Sequence, residues 1–101
     1  NINYNNVNPR TFELFQNYPN PFNSVTNVPF ELTKSSLVKL SIYDISGKLV
    51  KILVNEQKNS GDYLIKWNGE NGNDQLMTSG IYAICLIAEK QNKVKRAILL
   101  K

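Results

Sequence analysis

The chain contains no histidine and only one cysteine. Without histidine it lacks the commonest general base at neutral pH, the usual partner of a serine or cysteine nucleophile and the commonest metal ligand. Most hydrolase mechanisms are therefore disfavoured. The single cysteine, Cys85, cannot close an internal disulfide, and its place in the apolar run 81–88 predicts a small buried hydrophobe with an unreactive thiol. No run approaches the ~18 consecutive apolar residues of a membrane-spanning helix. No two carboxylates stand in a motif that suggests acid/base work. A length of 101 residues provides one domain but not a catalytic domain with a separate substrate domain. The expectation is a non-enzymatic module that uses no cofactor, no metal and no small-molecule substrate.

What is present is enough to fold. Hydrophobic residues make up 42% and aromatics 10%, against 20% charged, which is far from the composition of disordered chains. The net charge of +4 is mild and local: Lys90, Lys93, Lys95, Arg96 and Lys101 crowd the C-terminal end, while Arg10 is the only cation before Lys34. No nucleic-acid motif accompanies these cations, and they alternate with apolar residues as on a solvated strand face, so no nucleic-acid partner is expected. The chain opens on Asn1 rather than methionine, which suggests a processed or excised piece with any export signal upstream.

Residues 1–10 are asparagine-rich and lack apolar periodicity, the composition of a linker or loosely held entry arm; the domain proper is expected over 11–101. From there, short runs separated by turn residues follow the rhythm of a sandwich or barrel. Val38, Leu40 and Ile42 share one parity against Lys39, Ser41 and Tyr43, and Tyr63, Ile65 and Trp67 share one against Leu64 and Lys66. Both are half-buried strand patterns. Gly47 can take the positive φ that a tight connection needs. The run 48–54 is ambiguous by periodicity, and its β-branched content favours strand. Pro29 within the second run suggests an edge strand or a bulge. The run 81–88 is apolar on both faces, as in a central strand, and Gln91-Asn92 marks a hairpin into a last strand with Val94, Ile98 and Leu100 on one parity. The fold class read from this is all-β, an antiparallel sandwich of about seven strands.

Three constellations bear on function. Gln16-Asn17-Tyr18-Pro19-Asn20-Pro21-Phe22-Asn23 carries two X-Pro steps that stiffen the backbone and asparagines that cap turns. It reads as a rigid corner whose Tyr18 and Phe22 plug one end of the sandwich, or alternatively as a docking strip with exposed aromatics. The stretch 68–75 offers oxygen ligands, yet only Glu70 and Asp74 are charged and the spacing is not that of a calcium hand, so a turn is favoured. Trp67, Tyr63, Tyr43 and Tyr82 could form a sugar-stacking platform, but Trp67 shares parity with Tyr63 and Ile65, which favours core.

Taken together, the segment 16–23, the run Thr26-Asn27-Val28-Pro29-Phe30, the strand 38–44 with Gly47, Gly61-Asp62-Tyr63 leading to Trp67-Asn68-Gly69, and Ser79-Gly80-Ile81-Tyr82 resemble the type A C-terminal sorting domain of type IX secretion cargo proteins of Bacteroidetes and related bacteria. The resemblance implies an immunoglobulin-like β-sandwich, recognised by the outer-membrane export machinery and a surface sortase. It further implies a cargo domain ahead of it in the same chain and export through the periplasm to the cell surface or beyond. It gives structural weight to the segment 16–23, Gly47, Trp67, Gly69, Gly80 and Tyr82, and makes Lys93, Lys95, Arg96, Ile98, Leu99, Leu100 and Lys101 candidates for translocon recognition. Two other readings stand beside it: an accessory carbohydrate-binding module of a secreted hydrolase, and a structural immunoglobulin-like spacer such as those resembling the hook-capping protein of flagella.

Overall fold

Each period-two run becomes a strand because alternation sends every second side chain to the same face of an extended chain. In the structure, a computed structural model, residues 12–101 are described. The arm expected over 1–10 lies outside the described residues. Seven strands follow in chain order: β1 (Phe12–Leu14), β2 (Thr26–Leu32), β3 (Ser36–Tyr43), β4 (Leu49–Lys58), β5 (Gly61–Trp67), β6 (Gly80–Ala88) and β7 (Gln91–Leu99). They form a three-stranded sheet of order β1-β2-β5 and a four-stranded sheet of order β4-β3-β6-β7. Every strand pairing is antiparallel. The chain changes sheet after β2, β4 and β5, so the two sheets are woven together and face each other as the expected antiparallel sandwich.

The core lies between the sheets. Val28, Phe30 and Leu32 of β2 meet Val38, Leu40 and Ile42 of β3 and Tyr82, Ile84 and Leu86 of β6, all buried. Each such side chain contributes roughly 1.5–3 kcal/mol when removed from water, against the entropy of ordering the chain. The β3–β4 turn is held by Asp44, whose Oδ1 accepts from Ser46 N at 2.9 Å, Ser46 Oγ at 2.7 Å and Lys48 N at 2.9 Å. Gly47 closes it at φ +87°, a value costly for any residue with a Cβ.

Four local expectations are corrected. Pro29 lies in the middle strand of its sheet, opposite Leu64, not on an edge. Its carbonyl accepts from Phe15 N at 3.0 Å. A residue's N and O point to the same side in an antiparallel strand, so the missing N–H lies opposite Phe15, just past the end of β1, and the ladder forgoes only the return bond to Phe15 O. The last hairpin turns at Glu89 and Lys90, with φ +51° and +64°, and Gln91 already pairs with Ala88. Two positive φ values in a two-residue loop match strand twist, a geometry that glycine and asparagine usually signal. In β7 the inward parity belongs to Ala97 and Leu99, with Val94 and Ile98 turned outward. Pairing decides this: Ala97 stands opposite the buried Tyr82, where a small residue leaves room for the ring. Finally, β6 is central but no second layer of the described residues packs on its outer face. Cys85 is half-buried on that face rather than in the core.

Candidate functional site

As the last strand of its sheet, β7 pairs with β6 along one side only, leaving a row of backbone groups without a strand partner. The chain itself covers part of that row. The connection between β1 and β2 first runs beside β2, where Tyr18 N donates to Asn27 O at 3.0 Å and Asn27 N to Tyr18 O at 2.8 Å. Within this bend Asn17 is buried: its Nδ2 donates to Thr26 Oγ1 at 2.8 Å, and the Thr26 hydroxyl donates to Pro19 O at 2.8 Å. The connection then crosses to the other sheet, through cis Tyr18–Pro19 and Asn20–Pro21 peptide bonds, and docks on β7.

The contact is made by amides. Gln16 Nε2 donates to Arg96 O at 2.8 Å, and Asn20 Nδ2 reaches the same carbonyl at 3.3 Å. Asn20 Oδ1 accepts from Ile98 N at 2.8 Å. Phe22 N donates to Ile98 O at 2.9 Å, Leu100 N donates to Phe22 O at 2.9 Å, and Asn23 Nδ2 donates to Leu100 O at 3.3 Å. The segment 16–23 therefore completes the edge of the chain end over residues 96–100, with four bonds from side chains that imitate a strand and two from a short parallel bridge between Phe22 and Leu99. Sealing a sheet edge in this way satisfies its polar groups and removes a template for unwanted pairing.

Beneath the contact lies an aromatic cluster. Phe22 tilts against Trp67 with centroids 5.4 Å apart, and Trp67 meets Tyr82 edge-on at 5.4 Å. All three are buried, and the polar atom of each polar ring is satisfied by a backbone carbonyl: Trp67 Nε1 donates to Glu70 O at 2.9 Å and Tyr82 Oη to Thr78 O at 2.7 Å. Gly69, at φ +74°, turns the chain beside Phe22 and Leu99. A shallow hollow of about 360 Å³ opens at the surface here, lined by Asn23, Ser24, Asn68, Leu76, Leu99 and Lys101.

The structure thus unites the corner 16–23, Trp67, Gly69, Gly80, Tyr82 and the chain end 96–101, while Gly47 lies in the β3–β4 turn. Phe22 plugs the sandwich end as expected, but Tyr18 is half exposed and Asn17 takes the buried place instead. Of the recognition candidates, Arg96, Leu100 and Lys101 are exposed, Lys95 and Ile98 are half-buried, and Leu99 is wholly in the core. Lys93 bridges the sheets, 3.2 Å from Glu13 and 5.3 Å from the centre of the Phe12 ring. Ser79, whose Oγ accepts from Lys101 N at 3.0 Å, and Thr26 also belong to the assembly. Both stand in runs that carry the resemblance, but the bonds they make were not readable there, because Ser79 meets Lys101 and Thr26 meets Asn17 only in the fold.

Little here is reactive. Three hydrogen bonds, the strongest from the Ser46 hydroxyl, hold the Asp44 carboxyl below its ordinary value, and burial pushes the Cys85 thiol up while Lys39 pulls it the other way. Neither is paired with a base or nucleophile. Among the described residues no group of three or more histidine, cysteine, aspartate or glutamate side chains is placed to hold a metal ion. The four aromatics considered for a sugar platform are dispersed: Trp67 and Tyr82 are in the core, Tyr63 stacks on Phe30 at 5.2 Å, and Tyr43 sits on the other sheet.

Several solved structures share the fold. Dimeric latent PorU from Porphyromonas gingivalis superposes with a TM-score of 0.73 at 17% identity, over 94% of this chain and 10% of that one. PorZ from the same organism, described as an essential surface component of its type-IX secretion system, gives 0.61 at 22% identity over 87% of this chain and 11% of PorZ. FlgD from P. aeruginosa gives 0.58 at 20% identity over 74% of this chain and 60% of FlgD. The chain therefore spans about a tenth of the length of PorU and PorZ. No curated protein matches the chain. Residues 18–92 match the FlgD Ig-like domain family, from the proline-asparagine corner through both sheets into β7, and with well over half its length inside that match the protein belongs to this family.

Proposed function

We propose that the protein is a non-catalytic sorting module, recognised by the type IX secretion machinery to carry an attached cargo protein across the outer membrane to the cell surface or the extracellular space. The observation that supports this best is the union of the corner 16–23 with residues 96–100. The segment 16–23, which carries the resemblance to type A sorting domains, and the chain end that the resemblance makes a candidate for recognition become one folded surface. The fold shared with PorU and PorZ supports it further. Recognition then consists of a shaped end of the sandwich, with Arg96, Leu100 and Lys101 displayed on a rigid support and no chemistry performed by the module.

The test is a reporter carrying a Sec signal and fused to residues 1–101, expressed in a host with type IX machinery. The reporter is expected outside the cell, and to remain in the periplasm when the domain is omitted. Retention of the intact fusion in a host that exports its own cargo overturns the reading.

A further inference from the structure

The four-stranded sheet has an outward face that no strand or loop of the described residues covers. In register across it run Ile52, Ser41, Cys85 and Val94, and the next rows hold Leu49, Tyr43, Ala83 and Arg96, then Ile81 beside Ile98. Isolated exposed hydrophobics are ordinary, whereas a contiguous set on one sheet face marks an interaction site. Here Ile52 is 40% exposed, Ile81 42%, Ile87 38% and Val94 55%.

Charge says what covers this face. The outward positions hold two cations, Lys39 and Arg96, and none of the chain's eight carboxylates. Glu13, Glu31 and Asp62 belong to the other sheet, Glu56 has the inward parity opposite Val38, and the rest lie in turns and the 68–79 loop. Such segregation, in a chain that carries eight carboxylates against twelve cations, gives the face a positive potential over an apolar floor. A second copy would bring Lys39 and Arg96 against cations of their own kind, which disfavours face-to-face self-association. Binding in the plane of an anionic lipid surface is the habit of amphipathic helices with a broad apolar face and a cation-rich polar one, whereas this face is a sheet that carries two cations.

We propose that this outward face is where a protein of the export machinery docks, through an acidic surface with apolar side chains at its centre. The inference rests on the sorting reading above and moves the main contact from the chain end to the sheet, which β7 shares with that end through Arg96 and Ile98. Lys39 and Arg96 steer and orient the partner, and Ile52, Val94 and Ile81 supply the dry contact.

The reporter fusion tests it with three double variants whose thermal unfolding is first matched to the parent. Lys39→Glu with Arg96→Glu is expected to lower export at least tenfold, and Ile52→Thr with Val94→Thr severalfold. Lys34→Glu with Lys66→Glu, the same change in net charge at two exposed cations away from this face, is expected to export as the parent does. Parental export by the folded charge-reversed protein overturns this proposal and leaves the sorting reading standing, whereas retention of the parent fusion removes both. Two further results would overturn it. One is binding of the purified domain to vesicles of phosphatidylcholine with a third phosphatidylglycerol, abolished by the charge reversal. The other is a dimer in sedimentation that the same reversal dissociates.

Discussion

Phe22 and Leu99 meet in a parallel bridge that joins the corner after β1 to the end of β7, with Phe22 N donating to Ile98 O and Leu100 N to Phe22 O, each at 2.9 Å. Asn20 extends the same contact with its side chain, offering an acceptor to Ile98 N and a donor to Arg96 O. Asn20→Ala removes both bonds at an exposed site and is expected to cost about 0.5–1.5 kcal/mol in denaturant unfolding. Amide exchange at Ile98 should accelerate in the native protein. Unchanged protection of Ile98 would show that the bridge alone holds the strand.

Trp67→Ala is expected to cost about 3–5 kcal/mol, since a wholly buried indole leaves both lost transfer energy and a cavity. Its ring also separates Phe22 from Tyr82, so near-ultraviolet circular dichroism should lose its aromatic bands. A loss under about 1 kcal/mol would contradict its place in the core.

Asp44 makes stability depend on acid. Its folded-state pKa is held below the ordinary 3.8 by bonds from Ser46 and Lys48. A carboxyl with a depressed folded-state pKa stabilises fully above the unfolded value and loses that contribution as the pH falls through the folded one. Asp44→Asn should therefore unfold more easily than the parent at neutral pH, with the two curves converging as the pH drops below 3.8. A constant gap down to the most acidic conditions would refute the charge contribution.

The Ser41 hydroxyl is buried on the outer face of β3 without a hydrogen-bond partner among the described residues. A polar group stripped of water and left unpaired is destabilising, so Ser41→Ala should leave stability unchanged or raise it by up to about 1 kcal/mol. A clear loss in thermal unfolding would reveal a bond made by that oxygen.

Cys85 is half-buried and its thiol is pushed up by burial. Because the thiolate is the reacting form, maleimide labelling of the native protein should be slower than in denaturant at neutral pH, with the difference narrowing as the pH rises. Lys39→Gln removes the cation that opposes the shift and should slow labelling further. Equal native and denatured rates would contradict the placement.

Local alternation and turn chemistry were readable along the chain. Val38, Leu40 and Ile42 alternate in the sequence and lie inward in the fold, Gly47 turns where its residue type permits, and Trp67 is core on the parity it shares with Ile65. These depend on neighbours a few residues apart, so periodicity carries them. The inward parity of β7 does not, because Val94 and Ile98 compete with Ala97 and Leu99, and only the register against Tyr82 chooses between them. Nor does the uncovered face of β6: an apolar strand looks the same whether or not a second layer packs on it. The site itself is the clearest case. Gln16 and Asn20 are 80 and 76 positions from the Arg96 carbonyl they bind. Their residue types announce hydrogen bonding, but hydrogen bonds are satisfied by whatever the folded chain brings within 3 Å or so, and that closeness is a property of the two sheets packed together.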